Sequence, residues 1–221
     1  MLRAYYNFEQ SEGDLLDLSG NDYSSSDLSV TSRNSSGILN GNCFRFDSFT
    51  DYVNLGPNFQ FSDSEEFSIS FWYNRTGLDN NDRLLGFDTT AGWGFLFDKN
   101  YIDGGNDLVF RFDRTNLESK AGASENQWYH AVVTRKSSGE VKLYIDGELK
   151  ASMQSSSWTT PGDDFIVGST GRDGGVYSDD ERFNGFIDEL RIYDRPLTES
   201  EVSYLYGVGS KGLHVSSVKG S

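Results

Sequence analysis

The chain of 221 residues carries 34 acidic against 19 basic side chains, a formal charge of −15, and a single cysteine, Cys43. Such a charge repels nucleic-acid phosphates and anionic bilayers, one cysteine allows neither an intramolecular disulfide nor a cysteine metal centre, and no apolar run approaches the roughly 20 residues of a membrane-spanning helix. The 16 Phe, 12 Tyr and 4 Trp supply enough large apolar side chains for the core of one all-β domain.

Along the chain, residues alternate with a period of two in segment after segment, which marks half-buried strands. Residues 67–73 (FSISFWY) set Phe67, Ile69, Phe71 and Tyr73 against Ser68, Ser70 and Trp72. Residues 93–98 place Trp93, Phe95 and Phe97 on one face, and 108–113 (LVFRFD) do the same with Leu108, Phe110 and Phe112. The run 128–152 reads as a meander of three strands, 128–135, 141–145 and 148–152. A Ser/Gly turn joins the first two, and Asp146-Gly147 joins the others as a type I′ hairpin, in which both central residues need positive φ. Strands follow at 164–168 and 186–193. Cys43 reads as a small buried hydrophobe.

One helix start stands out. Thr198 and Glu201 have the spacing of a capping box, and Leu197 and Val202 stand at the staple positions that flank it. The helix is expected to make about two turns, through Tyr206, because a Gly/Ser-rich tail, 207–221, follows. The organisation is therefore one domain over 1–206 and a flexible or docking extension. The pattern predicts an all-β, two-sheet antiparallel sandwich, jelly roll or barrel.

Six phrases, YYNFEQSEGDLLDLSGN at 5–21, FRFDSFTDYVNLG at 44–56, FSISFWYN at 67–74, WYHAVVTR at 128–135, VKLYIDGELKAS at 141–152 and FNGFIDELRIYDRPLTESEV at 183–202, together resemble the laminin G-like, concanavalin A-like jelly-roll domains. The resemblance implies two curved sheets of about six or seven strands each, closed where the first strand meets the strand at 186–193. It also implies a binding module for glycans or protein surfaces, commonly with structural calcium, and assigns Trp128 to core packing.

The adjacent acids Asp188 and Glu189 then become a question. On strict alternation Asp188 shares a face with Phe186, Leu190 and Ile192, where a lone carboxylate is costly. Two answers stand open: a calcium site of Glu9, Asp17, Asn21 and Asp188, since calcium takes six to eight oxygen ligands, or an Asp188 that accepts backbone N–H bonds without metal. Ligand recognition is expected in two polar loops, Thr76–Arg83 and Ser169–Arg182, the second offering Arg172, Asp173, Tyr177, Asp179 and Asp180. Trp72 and Tyr144, outward on their strands, are candidates for an aromatic platform.

No catalytic constellation is legible. Glu12, Asp14 and Asp17 sit in a loop instead of on a strand face, as a retaining glycosidase pair would. His130 reads as a packed strand residue, His214 lies in the tail, and Asp98–Asp107 reads as an acidic hairpin turn rather than an EF-hand loop. The expected function is a non-catalytic binding or adhesion module for a glycan or cell-surface partner, extracellular although the opening MLRAYYNFEQ lacks a signal-type apolar region. A structural or decoration protein on a virion surface, packing against capsid protein or forming an oligomer, is the second reading, and a polysaccharide-active enzyme the third.

Overall fold

The alternating segments pair into two antiparallel sheets that stack, because each strand has one apolar face to hide and one polar face to expose. The computed structural model describes residues 1–218 apart from 31, 36, 49, 63, 78–82, 88–95, 100–106, 113–114, 123, 156–163 and 170–182. In chain order the strands are β1 (Leu2–Tyr6), β2 (Leu28–Ser29), β3 (Ser32–Ser35), β4 (Asn42–Phe46), β5 (Tyr52–Asn54), β6 (Phe67–Arg75), β7 (Arg83–Phe87), β8 (Leu96–Lys99), β9 (Asp107–Phe112), β10 (Thr115–Gly122), β11 (Trp128–Arg135), β12 (Glu140–Ile145), β13 (Glu148–Gln154), β14 (Phe165–Val167) and β15 (Gly185–Tyr193), and one helix follows, α1 (Glu199–Val218). Trp93 and Phe95 lie outside the described residues.

The larger sheet has the order β13-β12-β11-β6-β15-β4-β3, with β1 also paired to β15, and the smaller has the order β10-β9-β8-β7-β14-β5-β2. The first and last strands meet as expected, Leu2 opposite Tyr193 and Tyr6 opposite Leu190. The core lies between the sheets. Phe67, Ile69, Phe71 and Tyr73 of β6 and Tyr129, Ala131 and Val133 of β11 face Phe87, Phe110, Phe165 and Val167 of the smaller sheet. Its rings interlock at edges and offset stacks, such as Phe87–Phe165 at 5.1 Å and Phe61–Phe67 at 4.5 Å, the arrangements that aromatic quadrupoles favour.

The hairpin between β12 and β13 is the one the sequence predicts: Asp146 and Gly147 take φ of 53° and 81°. The capping box also forms, with Thr198 N–H donating to Glu201 Oε2 at 2.9 Å and Glu201 N–H to Thr198 Oγ1 at 3.3 Å. Leu197 and Val202 are buried together.

The C-terminus departs from expectation. Instead of ending near Tyr206, α1 continues to Val218 and lies across the outer face of the larger sheet. Gly207 and Gly209 read as helix enders, since glycine in a helix interior costs roughly 1 kcal/mol against alanine. Gly209 has a tertiary reason to be there. A Cβ on it would come within 2.6 Å of the Trp72 indole nitrogen, so only glycine lets the helix close on that ring. Among the described residues no helix is long and apolar enough to cross a membrane.

Candidate functional site

β15 does not keep strict alternation. Against β6, Asp188 stands opposite Trp72 but Arg191 stands opposite Ser70, so two residues of β15 face one of β6. Glu189, with φ of 56°, is in the bulge. A bulge adds one residue and flips the phase that follows it. Ile187, Leu190 and Ile192 therefore all reach the core, and Asp188 does not share a face with Leu190 and Ile192. The same point is where the other edge of β15 changes partner, from β4 at 185–187 to β1 at 190–193.

The two neighbouring carboxylates consequently aim at different elements. Asp188 Oδ2 accepts the Ile38 N–H at 2.8 Å and Oδ1 accepts the Glu189 N–H at 2.8 Å. Burial, with Glu189 and Glu9 nearby, raises its carboxyl to about 8 against two opposing N–H bonds. Glu189 accepts the Tyr5 hydroxyl at 3.0 Å and pairs with the Arg191 guanidinium, which lies 4.3 Å from the Tyr5 ring centroid.

Above this pair runs a cleft of about 280 Å³ between α1 and the sheet. Trp72, Glu189 and Arg191 contribute from the sheet, Leu39 from the 37–41 turn that Asp188 fastens through Ile38, and Tyr204, Leu205 and Val208 from α1. Tyr204 is 70% exposed and Leu39 is exposed beside it. The cleft thus has an apolar and aromatic rim over a neutralised Glu–Arg pair.

Trp72 and Tyr144 do point away from the core, but they do not form an open platform. Each is only 2% exposed. Tyr144 is packed under Leu197 and Val202, and Trp72 packs in a three-ring cluster with His130 at 5.0 Å and Tyr206 at 5.8 Å. The first turns of α1 cover Tyr144, and Tyr206 and Gly209 close over Trp72. His130 is buried as expected, but between sheet and helix instead of in the core, with Nε2 2.9 Å from Ser70 Oγ. Burial, reinforced by Arg191, holds it down to about 3, so it stays neutral. Trp128, assigned to core packing, is instead half-buried on the outer face, 6.4 Å from the Phe186 ring. Cys43 is buried, and burial pushes its thiol up to about 12.

The calcium ligands suggested by the resemblance do not converge. Asp17 accepts the N–H groups of Tyr5, Ser19 and Tyr23 and the Ser19 hydroxyl. Although burial pulls it upward, these bonds hold its carboxyl below the ordinary carboxylate range. Asn21 donates to the Leu2 and Arg3 carbonyls, Glu9 accepts the Asn42 N–H at 2.8 Å, and Asp188 is taken up as described. N–H donors aim at these oxygens, which is the opposite of what a cation needs, and the described residues contain no group of three or more acidic, His or Cys side chains spaced for a metal. As placed, the four do not fit calcium. Arg172, Asp173, Tyr177, Asp179 and Asp180 lie outside the described residues.

Residues 46–203 match the model of the concanavalin A-like lectin/glucanases superfamily, of laminin G type. The chain belongs to this superfamily. Solved members of the concanavalin A-like fold overlay most of the chain. Domain 4 of AbnA, an extracellular arabinanase of Geobacillus stearothermophilus solved with arabinotriose, gives a TM-score of 0.69 at 23% identity over 93% of this chain and 98% of that one. The binding domain of Paraclostridial Mosquitocidal Protein 1 gives 0.68 at 22% over 93% and 51%, and the ligand binding domain of botulinum neurotoxin serotype D with N-acetylneuraminic acid gives 0.66 at 18% over 93% and 50%. A curated protein, a botulinum-like toxin of Enterococcus sp., is 28% identical over 178 residues, 74% of this chain, and the chain spans 13% of its length.

Of the cleft's lining, sequence reasoning singled out Trp72 and Glu189 and missed Leu39, Tyr204 and Arg191. Arg191, two residues after Glu189, carried a usable signal as the outward partner of an outward acid. Tyr204 and Leu39 carried none, because a tyrosine beyond a helix cap and a leucine in a turn acquire meaning only once the helix has folded back.

Proposed function

We propose that the chain is a non-catalytic binding module, acting outside the cell, that recognises a saccharide on a surface partner through the cleft beside α1. The observation that carries this reading is the exposed Tyr204 and Leu39 standing over the Glu189–Arg191 pair. An aromatic ring offers the apolar face of a sugar a surface to stack on. The paired guanidinium and carboxylate offer donors and acceptors to hydroxyls without a net charge. The cleft is at the small end of ligand sites and suits a single terminal sugar. The saccharides bound by the arabinanase domain and the serotype D toxin domain, on the same fold, support the ligand class. Glu189 is tied by Arg191 and Tyr5, and His130 is buried and neutral, so neither is free to act as an acid or base.

A glycan array with the intact chain and the Tyr204→Ala variant tests the reading. The intact chain is expected to bind terminal-sugar glycans, and the variant to bind them at least tenfold more weakly with an unchanged melt, since Tyr204 is a surface residue. Equal binding by the two proteins would remove the cleft from the function.

A further inference from the structure

α1 rests on the larger sheet through contacts that stand apart from the core. Leu197 and Val202 pack on Val132 and Tyr144, with Tyr193 and Leu205 at the margin, and this cluster is separate from the one between the sheets. Farther along, Tyr206 stacks on Trp72 at 5.8 Å and lies against Gly147 of the β12–β13 hairpin. The helix beyond Val202 can therefore leave the sheet without opening the sandwich. Beneath that segment lies a titratable group that the cleft does not use. His130 of β11 is 1% exposed, its ring 5.0 Å from that of Trp72 and 6.3 Å from that of Tyr206. Nε2 is paired with Ser70 Oγ, whereas Nδ1 is buried without a hydrogen-bond partner.

That arrangement tolerates only the neutral ring. A neutral imidazole has one donor and one acceptor nitrogen, but an imidazolium carries N–H on both, so its Nδ1–H would be buried with no acceptor. The charges that face the ring do not compensate. From β15 comes the Arg191 guanidinium, which opposes a second cation. From the β12–β13 hairpin comes Asp146, whose Oδ1 accepts the His130 backbone N–H at 2.9 Å. Burial raises the Asp146 carboxyl above its ordinary value, so in acid it turns neutral sooner than a free carboxylate and is a poor counter-charge. β6 offers Ser70 and the Trp72 ring, and α1 the Tyr206 ring. Ring faces attract a cation, but by less than the cost of burying an unpaired one.

We infer that His130 is an acid-release latch for α1: a proton on its imidazole frees the helix beyond Val202 from Trp72 and, because Tyr204, Leu205 and Val208 line the cleft from that segment, takes the cleft apart and discharges its ligand. The loss of ligand rests on the cleft reading, whereas the latch does not. Docked, His130 titrates near 3 against an ordinary 6.5. The neutral ring's contribution to docking is thus complete above about pH 6.5 and is lost progressively as pH falls toward 3. From pH 7.5 to 5 the undocking constant rises about thirtyfold, in a range above the ordinary carboxylates. Asp188 also titrates, near 8, but it fastens the 37–41 turn. Glu201 is held down to about 2 by Arg195, so the first turn of α1 stays capped.

Amide hydrogen exchange of the full chain, corrected for the pH dependence of the chemical exchange rate, reads docking without any ligand. Exchange of the α1 segment 203–218 is expected to quicken about thirtyfold beyond that correction from pH 7.5 to 5, while β6 and β11 stay protected. His130→Phe, which keeps a ring against Trp72 and has nothing to protonate, should abolish the acceleration. His214→Gln, which changes the other of the chain's 2 histidines, should retain it, and that result assigns the proton to His130 even if His130→Phe does not fold. No acceleration in the parent overturns the latch. So does equal acceleration in His130→Phe, its loss in His214→Gln, or the opening of β6 and β11 along with α1. Glycan binding at pH 7.5 judges the cleft separately. Binding that persists unweakened at pH 5 while α1 is released removes the cleft and not the latch.

Discussion

Two glycines two residues apart in α1 should respond to alanine with opposite signs. Both are interior helix positions, so each Gly→Ala gains roughly 1 kcal/mol of helix propensity. At Gly207 a Cβ meets nothing within 4 Å, and the gain stands alone: the melting midpoint should rise by about 2–4 °C for a domain of this size. At Gly209 the same Cβ would overlap the Trp72 indole. That ring is 2% exposed and packed against both His130 and Tyr206, so overpacking of roughly 1–3 kcal/mol applies. The overlap outweighs the propensity, and Gly209→Ala should lower the midpoint. A difference of about 2 kcal/mol, or ~4–8 °C, is expected between the variants. Thermal melts followed by circular dichroism read the shifts, and tryptophan emission reports whether the indole has moved. Equal rises in both variants would refute the docking of α1 on Trp72.

Asp188 makes stability depend on pH. Its folded value near 8 lies above the ordinary 3.8, so its contribution is full below about pH 4 and is lost as the unfolded state ionises, until the folded carboxyl follows near 8. The slope is at most ~1.4 kcal/mol per pH unit. Glu189, Glu9 and the Cys43 thiol surround it. Asp188→Asn should therefore show a flatter midpoint-against-pH curve between pH 4 and 8 than the parent, and parallel curves would count against a buried protonated carboxyl. Calcium added after chelation should leave the midpoint unchanged, because the oxygens of Asp17 and Asp188 are already taken by N–H donors. A calcium-dependent rise abolished by Asp17→Asn or Asp188→Asn would show that these carboxylates exchange N–H partners for the ion.

Local chemistry decided much of this protein in advance. Phe67 to Tyr73 must form a strand with one apolar face, Asp146-Gly147 must turn a hairpin, and Thr198 with Glu201 must open a helix, because period, φ preference and capping are settled within a few residues. The order and spacing of the phrases carrying those signals made the sandwich and its family legible before any coordinates. Tertiary structure decided what those signals could not. The bulge at Glu189 depends on β15 being gripped by β6 on one edge and shared by β4 and β1 on the other, and it overturns the alternation that made Asp188 and Leu190 neighbours on one face. The continuation of α1 meets an indole 137 positions earlier in the chain (Trp72 against Gly209), and with it comes the closure over Trp72. Asp17 reads as a loop acid and Asp188 as a strand acid, but which backbone N–H groups meet them is fixed only on folding, when Tyr5 reaches Asp17 and Ile38 reaches Asp188. Strand, turn and cap arise from contacts between near neighbours, whereas a binding surface arises from side chains brought together across distant strands, and no local rule encodes that meeting.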